Sequence, residues 1–348
     1  MTTESPTTSR PRWRFGWFHV VAISIIALLL AWHFGLFTRT PRLAMVTSGE
    51  GPYWDAVIAG ANHAAGIYDV KVDVIRVPTK ADLQSGKIRQ LLAMSYDGIA
   101  VSPINPIAQA AVLADAAKAT TLVTFDSDSP VAGRLCFVGT DNYAAGRSCG
   151  QLVRSALPHG GKVIVFLGNP DKENTQRRRQ GVIDDLLDRP FEPDRPMDPP
   201  DQPLEGTKYT IVATYSDASE PQVAKTNAAQ ALKDHPDATC FVGLLAYTAP
   251  ALVKALDEAG RLGKVQVVGF DCDPQTLDGI EAGHVYGTIM QDQFGCGFQT
   301  VRILAEHARG DHSSLPIFQK RTLPSERVTK NNVAAVRKQI SAATKVRG

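Results

Sequence analysis

Two stretches end an apolar run on a carboxylate, a spacer and a second carboxylate. "VTFDSDSP" at 123–130 presents Asp126, Ser127 and Asp128, and "VVGFDCDP" at 267–274 presents Asp271 and Asp273. Carboxylates at such places do one of two things. They cap helices and turns, as Asp often does, or they accept hydrogen bonds from the hydroxyl rim of a polar ligand, where a charged acceptor gives short bonds of fixed geometry. Asp126 and Asp271 are expected to share one cleft. Asp128 and Asp273 are placed there as secondary candidates, with capping as the alternative.

The elements that must position these residues are legible from residue 41 onward. Strands are expected at "LAMVTS", "VKVDVIRV", "GIAVSP", "TLVTFDS", "KVIVFLG", "YTIVATYSD", "CFVGL" and "VQVVGFD". Ala-rich stretches with helical spacing, such as "PYWDAVIAGANHAAG", alternate with them. Near-continuous apolar strands alternating with helices imply parallel sheets covered on both faces. Four strands precede Gly160 and four follow, enough for two doubly wound α/β sheets. In such sheets ligands bind outside the carboxyl ends of the strands, where both aspartates stand. Thr47 and Asp217, at the ends of two further strands, join the secondary candidates.

Composition narrows the function. The chain has 348 residues, enough for two domains, and 37 Lys+Arg against 35 Asp+Glu leave a net charge of +2. That balance gives no field for nucleic acid. No His-Glu-x-x-His, no Gly-x-Ser-x-Gly elbow and no phosphate loop occurs; "HGGKV" at 159–163 lacks the upstream glycine and the following hydroxyl. Neither an enzyme nor a resident cofactor or metal is expected. Cys136, Cys149, Cys240, Cys272 and Cys296 are scattered and read as small buried thiols, with a disulfide left open. "DRPFEPDRPMDPPDQPLEGTK" at 188–208 has no periodicity and reads as a solvated surface excursion.

The N-terminus departs from this pattern. Arg10, Arg12 and Arg14 precede "GWFHVVAISIIALLLAWHFGLF", an apolar run of the length that spans a bilayer core. Trp17, Phe18, Trp32, Phe34 and Phe37 would lie at its interfaces. The exit, "HFGLFTRTP", has no small-residue cleavage pair. An uncleaved anchor over 17–37 is therefore expected ahead of a cleaved signal, with the remainder exported.

Seven stretches, in order, resemble the type I periplasmic sugar-binding proteins of ABC importers, the ribose-binding group: "GPYWDAVIAGA", "YDGIAVSPINP", "LVTFDSD", "VGTDNYAAGR", "NTQRRRQG", "VQVVGFD" and "YGTIMQD". The likeness runs from Leu43 to about Val333. It implies two α/β lobes joined by three crossings, near Thr140–Asp141, Gln291–Asp292 and about Lys320. The implied halves are 41–140 with 292–320 and 141–291 with 321–348. The resemblance puts Tyr53 and Trp54 against a sugar face, Asp126 and Asp271 on its hydroxyls, Arg178 in the second lobe and Gln291 beside the last crossing. Departures are Ser127 in place of an arginine, Ser102 in place of an asparagine, and Leu245 in place of a second asparagine, so that Tyr247 takes over its reach. The implied function is capture of a neutral sugar or polyol and delivery to an ABC permease by a monomer tethered in the periplasm. A sensory receptor signalling to a membrane partner is the alternative. A LacI-type regulator would need a DNA-binding motif where the apolar segment stands.

Overall fold

A computed structural model describes residues 16–33 and 39–345. Residues 17–33 form one helix, α1 (Trp17–His33), in a unit separate from the compact body that begins at Pro41. At 1.5 Å per residue α1 is about 25 Å long, against about 30 Å of bilayer hydrocarbon. Among the described residues no helix is long and apolar enough to cross a membrane. The described residues therefore do not support the anchor expected over 17–37, of which residues 34–37 lie outside the described residues.

The first half of the body alternates β1 (Arg42–Val46), α2 (Pro52–Ile67), β2 (Lys71–Ile75), α3 (Ala81–Leu92), β3 (Gly98–Val101), α4 (Ala110–Ala119), β4 (Thr121–Phe125) and β5 (Cys136–Thr140). The second runs α5 (Asn142–Ala156), β6 (Gly161–Leu167), α6 (Glu173–Leu186), β7 (Leu204–Glu205), β8 (Tyr209–Ser216), α7 (Pro221–Asp234), β9 (Cys240–Gly243), α8 (Thr248–Glu258), β10 (Gln266–Phe270), α9 (Pro274–Ala282) and β11 (Gly287–Gln291). The chain finishes with α10 (Gln293–His307), β12 (Lys320–Leu323), β13 (Ser325–Thr329) and α11 (Val333–Lys345).

The strands make two sheets, in the orders β12-β5-β4-β3-β1-β2 and β13-β11-β10-β9-β6-β8-β7. The first is parallel throughout. The second is parallel except at its edges, where β13 and β7 pair antiparallel. All eight expected strands form. The chain leaves the first sheet after Thr140 and leaves the second after Gln291. It changes sheets for the last time between Leu323 and Ser325, a few residues later than expected, because β12 stays paired to β5 through Leu323.

Each sheet is buried on both faces, as its apolar strands require. Leu43, Met45, Val123, Phe125 and Val138 pack on one face of the first sheet, and Ala44, Val46, Ile99 and Val101 on the other. Ile164, Phe166, Phe241 and Val267 face one side of the second, and Val163, Val165, Val242 and Phe270 the other. All five cysteines are free, four of them buried and Cys272 half-buried.

Residues 188–208 lie on the surface but are strapped down rather than free in solvent. Arg179 donates to the carbonyls of Asp198 (2.7 Å) and Pro199 (2.9 Å), and Arg147 to that of Arg189 (3.0 Å). Arg189 and Arg195 close on the fully buried carboxylate of Asp184, each at 3.1 Å. The acids and arginines that read as a solvated tract thus neutralise one another against α6, and its end supplies β7.

Helices α5 and α6 meet through glycine. A Cβ on Gly146 would fall 2.2 Å from the carbonyl oxygen of Arg178, and one on Gly181 would fall 2.2 Å from that of Tyr143. This contact seats the turn of α6 that carries Arg178. Gly146→Ala should lower unfolding stability by about 1–3 kcal/mol through overpacking. Gly86→Ala, in α3 with no atom within 4 Å of the new Cβ, should raise it by up to about 1 kcal/mol through helix propensity. Urea denaturation of the two variants checks both signs.

Candidate functional site

Asp126 follows β4 and Asp271 follows β10, each at the carboxyl end of its strand. Both hold left-handed backbone conformations, φ 61° and φ 65°, which Asp tolerates better than most side chains. The sharp turn lifts each carboxylate off its strand end. Around them stand Ser102 after β3, Ser48 after β1, Lys172 and Asn174 at the start of α6, and Gln291 at the end of β11.

Asp126 is 6% exposed. Its Oδ1 accepts from the Tyr53 hydroxyl (2.8 Å) and Asn174 Nδ2 (3.2 Å). Its Oδ2 accepts from Ser102 Oγ (2.8 Å) and Lys172 Nζ (3.1 Å). Burial opposes the charge, but Lys172, then Arg178 and the hydroxyl donors, more than offset it and hold the carboxyl below its ordinary range. Tyr53 moves the other way, its phenol raised by burial and by Asp126.

Arg178, 1% exposed, is locked on every side. Its Nε donates to Asn142 Oδ1 (2.9 Å), Nη1 to the carbonyl of Leu244 (3.0 Å) and Nη2 to Gln291 Oε1 (2.8 Å). The guanidinium lies 4.1 Å from the centroid of the Phe270 ring. Gln291 in turn donates to Asp271 Oδ1 (2.8 Å), as does Gln293 (3.1 Å). Asp271 is 2% exposed and its carboxyl is raised by burial, which Arg178 and Gln291 only partly counter. Arg178 therefore links the Asp271 cluster to Asn142, whose Nδ2 reaches the Asp126 carbonyl at 3.5 Å.

Of the candidates named from the sequence, the structure brings Tyr53, Ser102, Asp126, Arg178, Asp271 and Gln291 together. Trp54 lies beside them but is 7% exposed and packs edge-on to Tyr53 and Phe125 within the core. Its ring is covered rather than presented as an open plane. Ser127 is fully buried with an unpartnered hydroxyl.

Several secondary candidates do other work. Asp128 forms a bidentate pair with Arg134 (2.5 and 2.6 Å) and accepts from Thr124, which leaves its oxygens committed. Asp273 caps α9 by accepting from Gln275 N (2.9 Å). Thr47 is buried; its hydroxyl donates to the Gly49 carbonyl in its own turn and accepts from Val77 N, just beyond β2. Asp217 and Tyr247 form a separate pair at 2.6 Å, with no direct bond to the Asp126 or Asp271 clusters.

The residues that sequence reasoning missed are Lys172, Asn174, Asn142, Ser48 and Gln293. Asn142 and Gln293 stand beside the expected crossings, and that position was the signal available. Lys172 sits in "NPDKEN", a loop with no marker of its own.

Residues 43–312 match the family described as periplasmic binding protein domain. The chain is 24% identical over 281 residues to a D-allose-binding periplasmic protein of Escherichia coli, covering 78% of this chain and 85% of that one. It is 24% identical over 299 residues to a D-ribose/D-allose-binding protein of Pseudomonas aeruginosa, covering 80% and 88%. A crystal structure of an ABC transporter solute binding protein from Burkholderia graminis, in complex with D-arabinose, superposes with a TM-score of 0.75 at 25% identity, over 84% of this chain and 96% of that one.

The Asp217 carboxyl is raised from 3.8 to about 6, chiefly by burial, against the opposing bond from Tyr247. Its protonated form is therefore favoured in the folded protein. The stability it contributes is full below its unfolded value of 3.8 and is lost as pH rises through about 6. Asp217→Asn should remove that loss, so its stability advantage over the parent should grow across this window in pH-dependent melting.

Proposed function

The chain belongs to the periplasmic binding protein family, and from that premise we propose that it captures a small neutral sugar or polyol between its two sheets outside the cytoplasm and delivers it to an ABC importer. The observation that carries the reading is the pre-set Arg178. Three acceptors and the Phe270 ring fix its guanidinium within 3.0 Å bonds, next to Asp271 and facing Asp126. Fixed donors and acceptors of this kind suit a ligand that carries both, as a hydroxyl does. Charge points the same way. Asp126 and Asp271 are matched by Lys172 and Arg178, so a neutral ligand enters without leaving a buried charge uncompensated. The relatives that bind D-allose, D-ribose and D-arabinose support a monosaccharide. The relatives are named for binding sugars, which supports capture rather than catalysis.

In this reading the sugar meets Tyr53, Ser102, Asp126, Arg178, Asp271 and Gln291, with Trp54 backing Tyr53 from the core. Calorimetry of the full chain with D-allose, D-ribose and D-arabinose should give saturable binding to at least one. Arg178→Ala should weaken that binding by about 1.5–3 kcal/mol, roughly ten- to over a hundredfold, the range for a charge-assisted bond. Unchanged affinity in a folded Arg178→Ala protein would put the ligand elsewhere.

A further inference from the structure

Three consecutive residues at the start of α6, on the second-sheet side, reach across to the first. Lys172 Nζ lies 2.6 Å from Ser48 Oγ and 3.1 Å from Asp126 Oδ2, and 5.7 Å from the centroid of the Trp54 ring. Asn174 Nδ2 lies 3.2 Å from Asp126 Oδ1. Glu173, between them, faces the Asp128 loop closely enough to feel its charge. A carboxylate offers about four lone-pair sites, and two of those on Asp126 are filled from its own side by Tyr53 and Ser102, two from the other by Lys172 and Asn174. The Lys172 side chain is 8% exposed and that of Asp126 4%. A cation is also the disfavoured charge at a helix N-terminus, so α6 gives Lys172 no reason of its own to be there.

We propose that Lys172 and Asn174 are an interlobe latch: they hold the two halves together through Asp126 and Ser48, with Glu173 between them facing the loop after Asp126, and Lys172 positions Asp126 rather than belonging to the fold of α6. The latch rests on contacts within the protein without ligand, and a sugar that reaches Asp126 takes the place of Lys172 or Asn174 on it.

Glu173 makes the latch sensitive to pH. It faces the Asp128 carboxylate after β4, whose own charge is taken up by Arg134, with Arg177 one turn along α6 at 3.5 Å and Lys320 on β12. Its Oε2 is shielded and has no partner. Burial first, then Asp128, raise its carboxyl from 4.5 to about 7, with Arg177 and Lys320 opposing. The closed arrangement therefore favours the protonated form, so closure is strengthened below that value and weakened as pH rises through it.

A distance measurement across the cleft tests this. Ile107, 86% exposed in the loop after β3, and Glu220, exposed ahead of α7, can be changed to Ile107→Cys and Glu220→Cys in the full chain and spin-labelled. The native thiols compete poorly: four are buried, and burial holds Cys272 at about 12. With no sugar added, the parent should give a short, narrow distance distribution at about pH 6. Lys172→Met should move it outward by roughly 5 Å or more, as hinge opening does. Raising the pH to about 8 should shift the parent the same way but leave Glu173→Gln in place. Circular dichroism matched to the parent confirms that Lys172→Met is folded. A Lys172→Met distribution that superimposes on the parent's would overturn the latch, and a pH shift that survives in Glu173→Gln would overturn the role of Glu173.

Discussion

The Asp126 carboxylate accepts hydrogen bonds from donors on both sheets, and a buried charge of this kind is tolerable only while it stays paired. Tyr53 and Ser102 reach it from the first half, Lys172 and Asn174 from the second. Much of the neighbouring geometry serves that requirement. The left-handed turn at Asp126 presents the carboxylate, Ser48 steadies the Lys172 ammonium, and the Asn142 amide backs the Asp126 carbonyl. A second cluster repeats the logic at Asp271 with Gln291, Gln293 and Arg178.

The two aspartates occupy matching places in matching sheets, yet their electrostatics diverge. Two hydroxyls, an amide and an ammonium hold Asp126 ionised. Asp271 has two amide donors and a guanidinium that is already committed to three other acceptors, so burial prevails and its carboxyl rises. One strand-end motif thus yields a firm anion and a softer one, a difference that comes entirely from what surrounds each.

All eight expected runs became strands, most of them because an apolar strand buried on both faces is written as a continuous apolar run, but the buried interior strands β5, "CFVGT", and β11, "GTIMQ", were not among the eight. The edge strands β7, β12 and β13 were not: "LE", "KRTL" and "SERVT" are short and polar, and only their pairing partners define them. Among the candidate residues, Asp126, Asp271, Arg178 and Gln291 were picked out by motif and position. Asp128 and Asp273 share the same Asp-x-Asp spacing but were claimed by Arg134 and by the α9 N-terminus, partners that spacing cannot reveal. Lys172 was invisible for the same reason, since its role exists only once two sheets face each other. The tract at 188–208 read as solvated because neither its internal pairs, such as Arg189 with Asp198, nor the pairs of Arg189 and Arg195 with Asp184 of α6 follow any periodicity in the sequence.

The proposed function requires a sugar to sit between the carboxyl ends of the two sheets. A crystal structure of the full chain grown with saturating D-allose, D-ribose or D-arabinose tests it most directly. Sugar density is expected within hydrogen-bonding distance of Arg178 and Asp271, with Asp126 on the opposite wall. Sugar bound only outside that space, for example in the open depression of about 340 Å³ lined by Arg42, Asp73 and Tyr96, would contradict it.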